Sequence, residues 1–325
     1  MKNGRAFARV CASILLAASL ATSVGVTCNA ADERKVLVVL GDSIATGHSL
    51  SDYNSGGNPK SKLSWSTLLA EKYGAKQVNL AVDGDTTSDL LLAVQNVTYR
   101  RMIEKADVIC VSIGGNNFLQ MMGALVANGS IFKGDEVESS YVQMETAAKG
   151  DLDAIFAELK EINPDALIMV QTLFEPYRYF TVPITVGKTV AEWMGAYIDR
   201  YNAVLTAKAN EHGITVIDVA AKFENDGDRT WLYDSMESGT LIQAIAALAN
   251  SNPHPTENGH RGIFDAYVEA ADSVLSTVLA TDNKRPQGEK TVTERPDPGL
   301  WIGIGAAVVV TASVVALVCI KKKKK

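Results

Sequence analysis

One serine stands where the chain could present a nucleophile. Ser43 follows the apolar run Val36–Leu40 and the dipeptide Gly41-Asp42, so a buried strand would deliver it to the end of a sheet. A serine hydroxyl is barely ionised at neutral pH and attacks a carbonyl only when a neighbouring base takes its proton. It also needs hydrogen-bond donors for the charge that develops on the carbonyl oxygen. Acyl transfer is therefore the chemistry to test against the rest of the chain.

The chain has four histidines, the residue type best suited to act as that base. His254 lies between two prolines, which stiffen its backbone. His212 ends a helical pattern just before a glycine, and His260 falls inside the last helical pattern, so both are expected to serve structure. His48 is close to Ser43 in sequence. The histidine pattern alone leaves the choice of base open.

Short apolar runs alternate with helical patterns across residues 34–280. The runs are continuous and β-branched, as in strands buried on both faces: Val36–Leu40, Val78–Val82, Val108–Ile113, Leu167–Thr172 and Thr215–Val219. The helical patterns between them cover 62–73, 86–97, 140–162, 188–212 and 256–279. This alternation predicts an α/β domain, a three-layer α/β/α sandwich with a central, mainly parallel sheet. Ligands bind such sheets beyond the carboxyl ends of the strands, where Ser43, Gly84 and Asn116 each follow a predicted strand.

Four stretches resemble, in order, the four blocks of the SGNH, or GDSL-like, esterase/lipase family. They are Gly41-Asp42-Ser43, residues 79–91, Gly114-Gly115-Asn116-Asn117 and residues 251–263. The resemblance implies that Ser43 is the nucleophile and His254 its base. It also implies an oxyanion hole formed by the backbone N–H groups of Ser43 and Gly84 and the side-chain amide of Asn116. Gly84 lacks a Cβ, so its backbone could approach the reacting carbonyl closely.

Two positions depart from the family's pattern. The aspartate expected three residues before the histidine is Ser251 here. The backbone carbonyl of Ser251 is therefore the expected partner that orients His254, with Asp234 and Asp218 as alternatives. Asn117 stands where the family has an acidic residue. Both departures bear on activity more than on fold.

Three alternatives stay open in the sequence. The departures are compatible with a catalytically decayed binding module of the same fold at the cell surface. His48 or His260 could replace His254 as the base. The Met- and Leu-rich segment 118–132 either lines an acyl or alcohol pocket or packs on the sheet as an amphipathic helix.

The two ends of the chain predict a route to the cell surface. Residues 1–30 have a basic start, an apolar stretch and small residues before the expected cleavage point, the pattern of a signal peptide. Residues 300–320 carry no charge over 21 residues and predict a transmembrane helix. The lysines at 321–325 predict a cytoplasmic tail, and the polar segment 281–299 with its three prolines predicts a linker. Residues 34–280 would then be an extracellular, membrane-anchored domain, with cell-wall sorting of the tail as a minor alternative.

Charge limits the partners that the chain is expected to bind, and cysteine content limits its expected disulfides. All 37 acidic residues lie between the two end segments, so nucleic acid is not an expected partner of the acidic middle domain. Cys28 and Cys319 fall in the end segments and Cys110 in an apolar run, so no disulfide framework is expected. We find no sequence pattern for a metal site and expect no cofactor. The expected partners are the membrane, through the C-terminal helix, and an ester substrate: a lipid, a short-chain ester or an O-acetylated glycan.

Overall fold

The structure is a computed structural model that describes residues 34–131, 133–185 and 188–280. Its centre is a five-stranded parallel sheet in the order β2-β1-β3-β4-β7. The strands are β1 (Val36–Gly41), β2 (Lys76–Asn79), β3 (Val108–Ser112), β4 (Leu167–Gln171) and β7 (Thr215–Ile217). A separate antiparallel pair joins β5 (Pro183–Thr185) to β6 (Lys188–Thr189). The prediction of a parallel central sheet is confirmed.

Helices connect the strands. They are α1 (Ser43–Thr46), α2 (Trp65–Lys72), α3 (Thr87–Gln95), α4 (Val97–Ile103), α5 (Gly115–Ala127), α6 (Gly134–Ile162), α7 (Val190–Glu211), α8 (Val219–Asn225), α9 (Leu241–Ala249) and α10 (Glu257–Val278), with a 3₁₀ turn at Arg229–Trp231. Capping boxes start α3 at Thr86 and α7 at Thr189, because each threonine side chain and the acidic residue three positions later satisfy each other's backbone N–H groups.

Alternate side chains of each strand enter two different cores. On β1, Val38 and Leu40 pack with α3 to α7, whereas Leu37 and Val39 pack with α2, α8 and α10. Both cores contain fully buried strand residues, as expected for a sheet covered on both faces. The predicted three-layer α/β/α sandwich is therefore confirmed.

A third, smaller core lies beside the main sandwich. Its buried members come from the chain around β5, β6 and α9 and from the start of α7: Tyr177, Phe180, Val182, Val190, Met194 and Ala244. The bridge between Phe180 and Met236 ties the two stretches of chain together. This core supports one wall of the cleft beside Ser43, and no sequence pattern predicted it.

No helix within 34–131, 133–185 and 188–280 combines the length and apolar character that crossing a bilayer requires. The predicted signal peptide (1–30), linker (281–299), transmembrane helix (300–320) and lysine tail (321–325) lie outside the described residues.

Candidate active site

Backbone contacts at the end of β1 position Ser43, the first residue of α1. The N–H of Asp42 donates to the carbonyl of Ser112 at 3.1 Å, and the Asp42 carboxylate accepts the N–H of Ile44 at 3.0 Å. A Cβ on Gly41, whose φ is +134°, would lie 1.9 Å from the Ser112 carbonyl oxygen. Only glycine therefore lets the end of β1 approach β3 so closely, and the sheet itself fixes the turn that presents Ser43.

His254 reaches Ser43 from the loop before α10, 211 residues along the chain. Its Nε2 lies 2.8 Å from the Oγ of Ser43. Its Nδ1 lies 2.6 Å from Oδ1 of Asn252, and the backbone N–H of His254 donates to the same oxygen at 3.1 Å. Because that oxygen only accepts, Nδ1 carries the proton of the neutral ring and Nε2 is free to accept one. A general base acting on Ser43 needs this tautomer.

Burial controls the charge of the histidine. It lowers the pKa of His254 to about 4; the nearby His48 lowers this pKa further, whereas Asp83 raises it. The ring is therefore neutral at pH 7 and able to take a proton. Burial also raises the pKa of Asp42 to about 7, against the hydrogen bond from Ile44.

Asn116, the second residue of α5, brings an amide to the same cleft as Ser43 and His254. Its Nδ2 donates to the carbonyl of Asp85 at 2.9 Å. An amide nitrogen has two hydrogens, so this bond fixes the side chain and leaves the second N–H for a ligand. The arrangement suits a donor to an oxyanion.

Gly84 lies in the turn before α3, and the backbone conformation of that turn requires a glycine. A Cβ there would meet nothing within 4 Å, so crowding does not require glycine. Its φ of +90° does, because side chains disfavour that backbone region. Gly84 is exposed and is not among the residues that line the cleft.

An apolar cleft extends from the reacting groups. It encloses about 570 Å³ of empty space, including the part open to solvent. Its walls are mainly apolar side chains of α5, the β4–β5 connection and α7: Phe118, Leu119, Leu173, Phe174, Met194 and Ile198. Within the segment 118–132, Phe118 lines the cleft and Leu125 is buried in the core.

Comparison with known proteins decides the family. Residues 39–261 match the model of the GDSL-like Lipase/Acylhydrolase family. The chain belongs to this family. The predicted family, and with it an ester hydrolase, is confirmed.

Solved structures share the fold of this GDSL-like hydrolase. Phospholipase A1 from Streptomyces albidoflavus NA297 is 23% identical, with a TM-score of 0.55 over 74% of this chain and 99% of that chain. The extracellular lipase from Streptomyces rimosus is 22% identical, with a TM-score of 0.51 over 73% and 99% of the two chains. The uncharacterized protein YpmR of Bacillus subtilis (strain 168) is 22% identical over 168 residues, which span 50% of this chain and 60% of YpmR.

The group that orients the histidine in this GDSL-like hydrolase differs from the prediction. Among the described residues, the Ser251 carbonyl makes no hydrogen bond to the His254 ring, and the Ser251 hydroxyl donates to the carbonyl of Leu248. The amide oxygen of Asn252 takes that place. An asparagine commonly accepts from the backbone N–H two residues later, so the Asn252-Pro253-His254 tripeptide carried a usable turn signal.

Asp234 and Asp218, the two alternative partners predicted for His254, make different contacts. Asp234 accepts the backbone N–H of Asn252 at 2.5 Å, so it supports the residue that holds His254. Asp218 caps α8 by accepting the N–H of Ala221 and also accepts the hydroxyl of Thr172. Only Asp234 therefore belongs to the network around the base.

Among the described residues, neither His48 nor His260 makes a hydrogen bond to the Oγ of Ser43. His48 packs against His254 with ring centroids 4.8 Å apart and bonds Asp83 through Nδ1 at 3.1 Å. His260 is fully buried in α10, where its Nδ1 accepts the N–H of Trp65. The described residues also contain no cluster of three or more side chains that could hold a metal ion.

Proposed function

We propose that the chain is a serine esterase that hydrolyses carboxylic esters through an acyl-enzyme on Ser43. The 2.8 Å contact between Ser43 Oγ and His254 Nε2, at the mouth of an apolar cleft, carries the proposal. In the first step Oγ attacks the ester carbonyl and passes its proton to Nε2. In the second the imidazolium gives this proton to the leaving alcohol, and an ester bond to Ser43 remains.

The tetrahedral intermediate needs donors for its oxyanion. The second amide hydrogen of Asn116 and the backbone N–H groups of Ser43 and Gly84 are proposed to supply them. Losing one donor of this kind typically costs about 10²–10³-fold in rate. Water then attacks the acyl-enzyme while His254 takes its proton. The imidazolium returns this proton to Ser43 Oγ as the acyl–oxygen bond breaks, and the acid is released.

The cleft suggests which half of the ester it binds. Its walls are apolar and offer little to a hydroxyl-rich group, whereas a hydrocarbon chain would bury its surface there. We therefore assign the cleft to the acyl chain, and short- to medium-chain acyl groups are the expected substrates.

We also propose that the domain works outside the cell, anchored by the C-terminal helix. The basic and apolar start of the chain and the uncharged segment followed by five lysines support this placement. Protease treatment of intact cells expressing a C-terminally tagged chain tests it. Cleavage of the domain with the tag protected is the expected result, and a fully protected domain would contradict it.

The test of activity uses the full-length chain and p-nitrophenyl butyrate. We expect hydrolysis that is lost in Ser43→Ala, and fluorophosphonate labelling of the wild type at Ser43. His212→Gln is the matched control, because His212 bonds Asp153 at the end of α7 and does not line the cleft. This variant should keep its activity. If no acyl ester is turned over and Ser43 is not labelled, the chain is a binding module of this fold.

A further inference from the structure

A second surface borders His254, and none of its residues lines the apolar cleft. It consists of His48, Tyr53, Asp83 and Tyr233, which we call the polar shelf. The His48 ring lies 4.8 Å from the His254 ring and 5.0 Å from the Tyr53 ring, measured between centroids. The hydroxyl of Tyr233 donates to the carbonyl of Ser49 at 2.7 Å, next to His48.

The shelf is open to a ligand although its side chains are already ordered. The side chains of His48 and Asp83 are 42% and 34% exposed, and Tyr233 is 43% exposed. Asp83 accepts hydrogen bonds from Thr46 at 2.5 Å, from Tyr53 and from His48. Prior ordering of this kind reduces the entropy lost when a ligand binds.

Protonation of the shelf follows from these contacts. Burial raises the pKa of Asp83, but hydrogen bonds from Thr46 and Tyr53 outweigh it, so this pKa lies below its usual value. The carboxylate therefore only accepts, and Nδ1 of His48 must hold a proton. Nε2 of His48 has no hydrogen-bond partner among the described residues. A ligand hydroxyl can donate to Nε2 in the neutral ring or accept from it in the protonated ring.

The reaction places the leaving alcohol next to the polar shelf. Nε2 of His254 must contact the alcohol oxygen to hand over the proton, so the rest of the alcohol lies beside the neighbours of that ring. His48 is packed against it, and the apolar cleft is already assigned to the acyl chain. The two halves of an ester would thus meet an apolar surface and a polar, aromatic one.

We propose that the polar shelf is the leaving-group subsite and that the physiological substrates are acyl esters of polyhydroxyl alcohols, such as glycerol or a hexose. The aromatic faces of Tyr53 and Tyr233 pack against the C–H surface of the alcohol, while His48 and Asp83 bond its hydroxyls. A hydrocarbon alcohol would desolvate these groups and leave Nε2 of His48 unpaired. This inference rests on the proposed esterase function.

The test holds the acyl group constant and changes the alcohol. With the full-length chain, kcat/KM is compared for 1-butyrylglycerol, 6-O-butyrylglucose and n-propyl butyrate. We expect at least one polyol ester to be preferred over n-propyl butyrate by about 10- to 100-fold, because a half-exposed subsite discriminates less than a fully buried one. The glycerol and glucose arms show which polyol fits.

Two variants test whether the polar shelf causes the preference for polyol esters. Asp83→Asn and His48→Gln should each reduce the preference to about threefold or less. The preference is a ratio of kcat/KM values for esters of the same acid, so a change in the pKa of His254 affects both esters and cancels in the ratio. Ser43-dependent hydrolysis of p-nitrophenyl butyrate, which has a good leaving group and no hydroxyls, shows that each variant still forms the acyl-enzyme. Leu119→Ala, on the cleft wall, should alter dependence on acyl length and keep the preference for the polyol. If Asp83→Asn does not fold, His48→Gln decides the test.

The outcomes separate the two proposals. A wild-type preference below about twofold for both polyol esters, or a preference that neither folded variant changes, overturns the leaving-group subsite while the esterase stands. Absence of Ser43-dependent hydrolysis of all four esters overturns the esterase itself.

Discussion

Ser43 and His254 meet at 2.8 Å, but two different kinds of structure hold them there. Ser43 stands at the end of β1, where the backbone of β3 accepts the N–H of Asp42 and both strands are buried. His254 lies in a loop and is oriented by a side-chain amide, Asn252, which is supported in turn by Asp234. The nucleophile therefore depends on the sheet, whereas the base depends on a few side chains that can be changed one at a time.

The largest effect should come from removing either reacting group. Ser43→Ala and His254→Ala should each reduce kcat/KM for p-nitrophenyl butyrate by about 10⁴-fold or more, since nucleophile and base act as one unit. The double variant should be no slower than the singles. Retention of more than a tenth of the activity in His254→Ala would show that the loop does not supply the base.

Asn116 and Asn117 are neighbouring amides at the edge of the sheet, and their substitution should have different effects. Asn116→Ala should lower kcat by about 10²–10³-fold with little change in KM, because its free N–H is needed only when the oxyanion forms. Asn117→Ala should mainly lower thermal stability, since the Asn117 side chain bonds the backbone N–H and the hydroxyl of Thr87. Equal losses of kcat in the two folded variants would contradict the assignment.

Substitution of Asn252 tests how the loop orients the base, His254. The pKa of His254 is about 4, so wild-type kcat/KM should hold down to about pH 5 and fall as pH drops through 4 and the ring becomes protonated. Asn252→Asp places a carboxylate at Nδ1, which favours the imidazolium and should move this acid limb up by about 1–3 pH units.

Asn252→Ala removes the orienting oxygen and should cost roughly 10²-fold in kcat/KM, less than loss of the histidine itself. The pH–rate profile separates orientation from stability, because a merely structural role would lower activity without moving the limb. An unshifted limb in a folded Asn252→Asp variant would exclude Asn252 as the partner of the ring.

Asp234 should give the smallest of these effects, since it acts through the backbone of Asn252. Asp234→Ala should lower kcat/KM by about 10-fold, and Asp234→Asn, which keeps an acceptor oxygen, by less. Thermal unfolding measured alongside distinguishes lost orientation from lost folding. A loss in Asp234→Asn as large as in Asn252→Ala would place Asp234 in direct contact with the base during the reaction.

Periodicity predicted the regular part of the fold and missed its short elements. The run Val108–Ile113 appears as β3, Val108–Ser112, and the pattern at 256–279 as α10, Glu257–Val278. The runs Val78–Val82 and Thr215–Val219 were extended too far. Asn79 ends β2, and Asp218 caps α8 after β7. The β5–β6 pair was not predicted, because strands of two and three residues carry too few positions for a pattern. The predicted helical patterns also did not include α8 or α9.

The candidate site also has parts that the sequence could predict and parts that it could not. Ser43 and Asn116 could be predicted to share one edge, because each follows a strand closely and parallel strands bring their carboxyl ends together. Their roles at that edge were implied by the resemblance to the family. For His254, the bond from its backbone N–H to Asn252 had a turn signal, but the contact of Asn252 with the His254 ring could not be predicted, because it depends on the path of a proline-containing loop. Most of the cleft wall escaped prediction for a related reason: Leu173 and Met194 belong to elements far apart in the chain.

The sequence by itself determined the alternation of strands and helices, and with it the edge at which Ser43 and Asn116 lie, because buried strands and amphipathic helices are local patterns. Tertiary structure alone decided that Asn252, and not Ser251, holds His254, and that an apolar cleft and a polar shelf both border that ring. Contacts between residues some two hundred positions apart are set by how the layers pack, and no local pattern records that packing.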